Sequence, residues 1–174
     1  NNGAETKTRS RGSRKFRATR RTITVIYRNV RGLFSSKKYF VDVVNPPQVL
    51  VLTETWTEST PYMIPGYWLA GFVGATRTKK AGRASGGAAV YVHRSCSTPI
   101  NATPLSSSAE NTLTIRVKTS NTQKDLAIVA YYLPTSKREQ EVTTFFKKIA
   151  EEVSSLQDAG FATILVGDSN GDRD

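Results

Sequence analysis

The run FATILVGDSNGD, residues 161–172, is apolar through Val166 and then breaks into an acid, a hydroxyl and an amide at Gly167-Asp168-Ser169-Asn170. A short apolar run bounded by a polar turn reads as a buried strand. Two earlier strands end in the same way. TITVIYRNV (22–30) passes into Arg28-Asn29, and QVLVLTETW (48–56) passes into Thr53-Glu54-Thr55. In an open sheet the strand ends are where the backbone leaves the core and distant segments converge, so Asn29, Glu54, Asp168 and Asn170 are candidates for one cleft. Taken singly, each also reads as a turn former or helix cap.

Between these strands the chain alternates strand and helix patterns. Residues 33–44, LFSSKKYFVDVV, carry apolar positions at near-helical spacing and predict a short helix stopped by Asn45-Pro46-Pro47. QVLVLTETW is apolar at nearly every early position, as in a strand covered on both faces. Residues 57–81 read as loop, SGGAAVYVHRS as a third strand, and NTLTIRVKT and KDLAIVAYYLP as two more, joined by a hairpin-like SNTQ at 120–123. From Ser136 to Gly160 a helix is predicted. Ser136 with Glu139 forms a capping box, Val142, Phe145, Phe146, Ile149, Val153 and Leu156 share one face, and Gly160 closes the end. The pattern predicts a layered α/β (α+β) fold.

The chain has 174 residues and a net charge of +11, a usual size for one domain. Its apolar content is too high for a disordered polymer and too interrupted for a membrane span. Cys96 is the only cysteine, which excludes an intrachain disulfide framework and a cysteine zinc site and fits a reducing, intracellular compartment. Residues 1–21 hold eight cations, Arg14, Lys15, Arg17, Arg20 and Arg21 among them, against Glu5 alone, a net +7. This segment has no apolar period and is expected to be a disordered basic tail ahead of a folded unit at 22–174. Such a tail binds DNA or RNA through counterion release; a targeting address or a solubilising arm are the alternatives. A second cluster, Arg77, Lys79, Lys80 and Arg83, could track a phosphate backbone with Tyr67 or Trp68 stacking on a base, or be a solvated loop.

Asn29, Glu54, Asp168 and Asn170 offer hard oxygen donors, two of them carboxylates. That is the set Mg²⁺ takes when it shares its sphere with a phosphate, with Mn²⁺ as the substitute, and no His/Cys cluster competes for a softer metal. In order, VIYRNVRGL, VLVLTETW, SGGAAVYV, AIVAYYLPTS and ILVGDSNGD resemble the successive blocks of the endonuclease/exonuclease/phosphatase (DNase I-like) superfamily. The likeness is greatest to the endonuclease domain of LINE-type non-LTR retrotransposons, through Asn29-Val-Arg-Gly-Leu, Thr53-Glu-Thr-Trp, Pro65-Gly66-Tyr67 and the Gly86-Gly87 strand.

The resemblance implies a DNase I-like four-layer sandwich, of which the chain is expected to supply the N-terminal sheet with its helices plus the first strand of the second sheet. About 1,000 Å² of apolar sheet face would then be uncovered, at standard interface size. The remainder of a polyprotein carrying a reverse transcriptase, or another chain, is the expected cover. The resemblance further implies that Glu54 is the principal metal ligand and that Asn29 supports the metal and phosphate. It implies that Tyr132 touches the scissile phosphate while Tyr131 faces the other way, that Asp168 activates water, and that Asn170 binds a phosphate oxygen. Thr135 stands where the family often has Asn, and the family's later aspartate and terminal Asp-His pair lie beyond Gly-Asp-Ser-Asn and are not in this chain. His93, the only histidine, is expected to be a strand-end residue. The implied activity is Mg²⁺-dependent nicking of DNA, nuclear if retrotransposon-derived or else organellar. The alternative is a truncated, inactive relative that binds nucleic acid in an RNA- or DNA-containing assembly. Phosphatase action on a small phosphoester is a third, weaker reading.

Overall fold

The structure, a computed structural model, describes residues 22–36, 45–59, 62–77, 82–96, 99–107, 109–120, 124–134 and 137–170. The basic tail, the second half of the 33–44 helix, Lys79, Lys80, Thr135, Ser136, most of the 120–123 turn and the end of the chain lie outside them.

Among the described residues, eight strands and two helices follow one another as β1 (Val25–Asn29), α1 (Leu33–Ser36), β2 (Val49–Thr53), β3 (Tyr67–Val73), β4 (Ala88–His93), β5 (Ile100–Leu105), β6 (Thr112–Thr119), β7 (Leu126–Tyr132), α2 (Glu139–Asp158) and β8 (Ala162–Asp168). They form two four-stranded sheets, ordered β1-β2-β4-β3 and β5-β6-β7-β8. Each sheet holds one parallel pair, β1 with β2 and β7 with β8, and its other neighbours run antiparallel.

The sheets pack face to face, because side chains alternate sides along a strand. Val49 and Val51 of β2, with Val90 and Val92 of β4, point inward and meet Leu113, Ile115, Val117, Ile128 and Ala130 of the second sheet. Leu50 and Leu52 point outward and join Leu33, Ile64, Tyr67 and Tyr91 in a second cluster. Every residue of β2 is therefore buried, as its unbroken apolar reading requires. On the far side of the second sheet, Tyr131 packs edge-on to Phe145 and Phe146 of α2, and Ile149 is 1% exposed.

The division of strands differs from the expectation. The second sheet has four strands in this chain, not one, so the inner face of the first sheet is covered from within. Among the described residues, the exposed large apolar side chains on the strands are Ile26 of β1 and Leu165 of β8, the outer strands of their sheets. Two strands were not anticipated. β3 lies inside the stretch read as loop, where Pro65, Gly66 and the following basic cluster mask the run Tyr67–Val73. β5 carries Pro104 and buries only Ala102 fully, which an outer strand tolerates because half its backbone groups need no partner.

Helix α2 keeps its predicted apolar face but starts later. Its N-cap is Arg138, whose backbone N–H donates to the Glu141 carboxylate at 2.9 Å. Glu141, rather than Glu139, thus supplies the reciprocal half of the capping box. Gly160, at φ +88°, follows the last turn as expected. Midway along, Glu152 accepts hydrogen bonds from Ser107 (2.9 Å) and from Thr114, which is 1% exposed. Glu152→Ala leaves the buried Thr114 hydroxyl unsatisfied and should cost about 1–3 kcal/mol, measured as a lower urea midpoint at unchanged m-value. An unchanged midpoint would remove this contact from the account of how α2 docks.

No helix among the described residues is long and apolar enough to cross a membrane.

Candidate active site

The two parallel pairs decide where the site lies. Parallel strands in register end together, so Asn29 lies beside Thr53, and Tyr132 beside Asp168. Across the sandwich β1 faces β8 and β2 faces β7. Four strand ends from four distant parts of the chain therefore meet at one edge.

Asn29 donates from Nδ2 to the Asp168 carboxylate across the sandwich, and its Oδ1 accepts from the Arg31 backbone at 3.1 Å. The second Asp168 oxygen accepts from the Asn170 backbone N–H at 2.9 Å. Asn170 Nδ2 donates to the Leu133 carbonyl at 2.7 Å, and the Leu133 N–H donates to the Asp168 carbonyl at 2.9 Å. The carboxylate of β8 is thus held from both sides by amides. Tyr132 is 6% exposed, and Glu54, Asp168 and Asn170 all bear on the titration of its phenol. Asn29, Glu54, Tyr132, Asp168 and Asn170 are therefore brought together, while Tyr131 faces the opposite side of β7 and packs on α2.

The backbone around this edge is tightly constrained. Arg31 (φ +45°), Glu54 (+54°), Trp56 (+56°) and Asn170 (+44°) all occupy the left-handed region, which costs a non-glycine residue about 1–2 kcal/mol. Such conformations persist only where the surroundings over-determine them, and they gather at functional sites. Here the surroundings are visible. Gly32 N–H donates to Glu54 O at 2.8 Å, Leu33 N–H to Thr55 O at 3.0 Å, and Trp56 N–H to Gly86 O at 3.1 Å. The segment carrying Glu54 is strapped between two glycine turns.

Burial is the main reason the tyrosines of this edge titrate above their ordinary range. Tyr132 is raised first by desolvation and then by the charge of Glu54, Tyr131 by desolvation and Asp168, and Tyr27 by desolvation, opposed by its hydrogen bond to Thr53 (3.0 Å). In the outer cluster, burial pushes Tyr67 up to about 12. Each phenol holds its proton more tightly folded than unfolded. Its contribution is therefore intact below the ordinary tyrosine pKa of about 10 and is lost as pH rises through the raised folded values. Thermal melts followed by circular dichroism should show a midpoint falling above about pH 10, less steeply in Tyr132→Phe; equal slopes would remove Tyr132 from this set.

Other predicted positions are used differently. Tyr67 is 3% exposed, with its hydroxyl donating to Pro47 O at 2.9 Å, so it is not open to a base, and Trp68 is half-buried against the core between the sheets. Arg77 donates to Glu58 through Nε at 2.9 Å and again through Nη2, and to Gly82 O at 3.0 Å; it ties its loop together. His93 ends β4 with its ring edge-on to Tyr67, centroids 4.8 Å apart. Its neighbours are Tyr67 and Gln48, at the end of β2 away from Glu54. Sequence reasoning missed Trp56, whose signal was its place two residues after Glu54. It also missed the part that Gly86 plays beside Tyr132.

A groove of about 610 Å³ leads to Tyr132 and is lined also by Thr76, Ser85, Asn111, Pro134 and Lys137. The donor chemistry fits a hard divalent metal. Among the described residues no three His, Cys, Asp or Glu side chains cluster as a closed cage, and one or two carboxylates with an amide oxygen suit an ion completed by water and phosphate.

No protein-family model and no curated protein matches the chain. Solved structures do. The catalytic domain of human Nocturnin aligns with a TM-score of 0.60 at 14% identity, covering 86% of this chain and 64% of that one. AP endonuclease LMAP from Leishmania major aligns at 0.59 and 20% identity, over 83% and 54%. The endonuclease domain of TRAS1, a telomere-specific non-LTR retrotransposon, aligns at 0.52 and 16%, over 87% and 60%. The chain thus spans between 54 and 64% of the length of these three proteins. With its two face-to-face sheets and its polar edge where two parallel pairs end, it has the DNase I-like endonuclease/exonuclease/phosphatase fold.

Proposed function

We propose that the chain belongs to a metal-dependent phosphodiesterase that cleaves nucleic acid, of the DNA-nicking kind represented by retrotransposon endonucleases. The observation that carries this reading is the Asn29 to Asp168 hydrogen bond across the sandwich, which joins the two sheets at a carboxylate and sets Glu54 and Tyr132 beside it. Its neighbours in fold support the substrate class: an AP endonuclease and a retrotransposon endonuclease domain.

The roles follow from the donors each residue has left. Asp168 is fixed by Asn29 and by the Asn170 backbone, and its remaining lone pairs can orient a water for in-line attack. Tyr132, kept protonated by burial and by Glu54, can donate to a phosphate oxygen. Asn170 uses one side-chain N–H on Leu133 and has the other for the same phosphate. Glu54 and the Asn29 amide oxygen are the groups that would hold Mg²⁺ or Mn²⁺; bound there, such an ion supplies positive charge to the phosphate oxygens. The basic tail, Arg14 to Arg21 included, and Lys79 and Lys80 are proposed to add sequence-independent attraction to the polyanion. The rest of a longer polypeptide, or a partner chain, is the proposed cover for the outer strands β1 and β8.

One observation favours a second reading, a nucleic-acid-binding module without catalysis. His93 lies at the end of β2 away from Glu54, so it does not assist Asp168. The two readings separate in a nicking assay on supercoiled plasmid. The nuclease reading expects open-circular product with Mg²⁺ or Mn²⁺ and none with EDTA. Oligonucleotide binding without any nicking would overturn it in favour of the binding module.

A further inference from the structure

Arg83 and Trp56 form a couple that the roles above leave unused. The Arg83 guanidinium carbon lies 3.5 Å from the centroid of the Trp56 ring, a stacking distance well inside the roughly 6 Å limit of a cation–π contact. The ring is itself fixed. Its backbone is tied to Gly86, and it rests so closely on Gly32 that a Cβ there would come within 2.5 Å of Cε3. Arg77 and Arg116, by contrast, are each held by a carboxylate, Glu58 and Asp125. The edge N–H groups of Arg83 have no hydrogen-bond or ion-pair partner among the described residues, and the side chain is exposed.

A guanidinium stacked through its face keeps its planar fork of donors turned outward, and that fork matches two phosphate oxygens at once. Holding the fork still before the ligand arrives lowers the ordering cost of binding. The location fits this use. Trp56 is two residues beyond Glu54, and Gly86, to which it is bonded, lies against the Tyr132 ring.

We propose that Arg83, braced by Trp56, is a preformed phosphate clamp that grips the backbone of a polynucleotide strand beside the phosphate held at Glu54, Tyr132 and Asp168. This inference rests on the nucleic-acid reading of the site and adds a specific subsite to it. Arg83 would act as a positioning residue, taking no part in bond making or breaking.

The test is fluorescence anisotropy of a labelled oligonucleotide, titrated over a range of salt without divalent metal, alongside the plasmid assay. Arg83→Ala should weaken binding several-fold and reduce the salt slope by about one. Arg83→Lys should keep the slope but bind more weakly than the unaltered chain, because an ammonium neither stacks nor presents a fork. Thermal midpoints of both should fall only slightly, since the side chain is exposed and loses one exposed cation–π contact. If both variants bind with parental affinity and slope while the parent nicks plasmid, the clamp is overturned and the nuclease reading stands. If the parent binds, Arg83→Ala behaves as expected and neither nicks, the clamp stands and the nuclease reading falls. A parent chain that binds no oligonucleotide overturns both.

Discussion

Asp168→Asn should lower the nicking rate by about 10²–10³-fold, the usual effect of removing one preorganised electrostatic group from a reacting centre. The substitution is nearly isosteric, so the loss comes from chemistry and from hydrogen-bond polarity. Asp168 accepts from two donors, the Asn29 amide and the Asn170 backbone N–H, and an asparagine can offer a carbonyl oxygen to only one of them. Its own NH₂ then faces the other, turning a charge-assisted hydrogen bond, worth about 1.5–3 kcal/mol, into a donor-donor contact. A modest fall in melting temperature should accompany the loss of rate. Asn29→Ala separates the two effects. It removes one donor from Asp168 and one oxygen proposed for the metal but keeps the carboxylate, and is expected to melt lower while retaining more activity than Asp168→Asn at saturating Mg²⁺. Oligonucleotide affinity in Asp168→Asn should hold or rise, because a negative charge facing the phosphate is gone. Nicking at the parental rate would remove Asp168 from the chemistry and leave its role as a brace between sheets.

The strand ends were legible because burial and polarity conflict there in plain view. An apolar run such as ILVGDSN or VLVLTET keeps its period until the core ends, and the first polar side chains beyond it must face something other than core. Their convergence was also foreseeable, since parallel pairs in register deliver their ends to one edge. What stayed hidden depends on contacts between residues far apart. The strand β3 contains Gly71, set against Ile115 of the opposite sheet. β5 contains Pro104, permitted by its place at the sheet's outer side. Neither feature has a local meaning before the two sheets are assembled. Tyr67, within the stretch read as loop, was a candidate for stacking on a base, yet its hydroxyl finds Pro47 in the buried cluster. The Arg83 to Trp56 stack joins residues 27 apart through the Gly86 turn, and no spacing rule announces it. The start of α2 was misplaced for a simpler reason: Ser136 with Glu139 and Arg138 with Glu141 are competing capping frames two residues apart, and the structure uses the second.

Gly86→Val should be strongly disruptive at the site, costing about 3–5 kcal/mol and abolishing cleavage. Two independent effects add. Gly86 has φ +79°, a conformation that costs an ordinary residue about 1–2 kcal/mol and a β-branched one more. A Cβ at this position would also sit 2.8 Å from the Tyr132 ring, and forcing volume into a packed site costs typically about 1–3 kcal/mol. The ring cannot simply retreat. Tyr132 lies on β7 between β6 and β8, with its backbone N–H bonded to Asn111 O at 3.0 Å. The alternative is for the turn to move, and that would drag Trp56, whose N–H is held by the Gly86 carbonyl, and with it the strap that carries Glu54. Stability and activity should therefore fall together in Gly86→Val. They should separate in Tyr132→Phe, which keeps the ring and its packing, loses the hydroxyl, and is expected to fold normally while cleaving more slowly. Gly86→Ala, with a single methyl, should lie between the two in stability and shift Tyr132 without unfolding the chain. Denaturant melts with plasmid nicking on all three variants test this order. A Gly86→Val chain as stable as the parent would mean that the turn at Gly86 yields freely and does not hold Glu54 and Tyr132 in place.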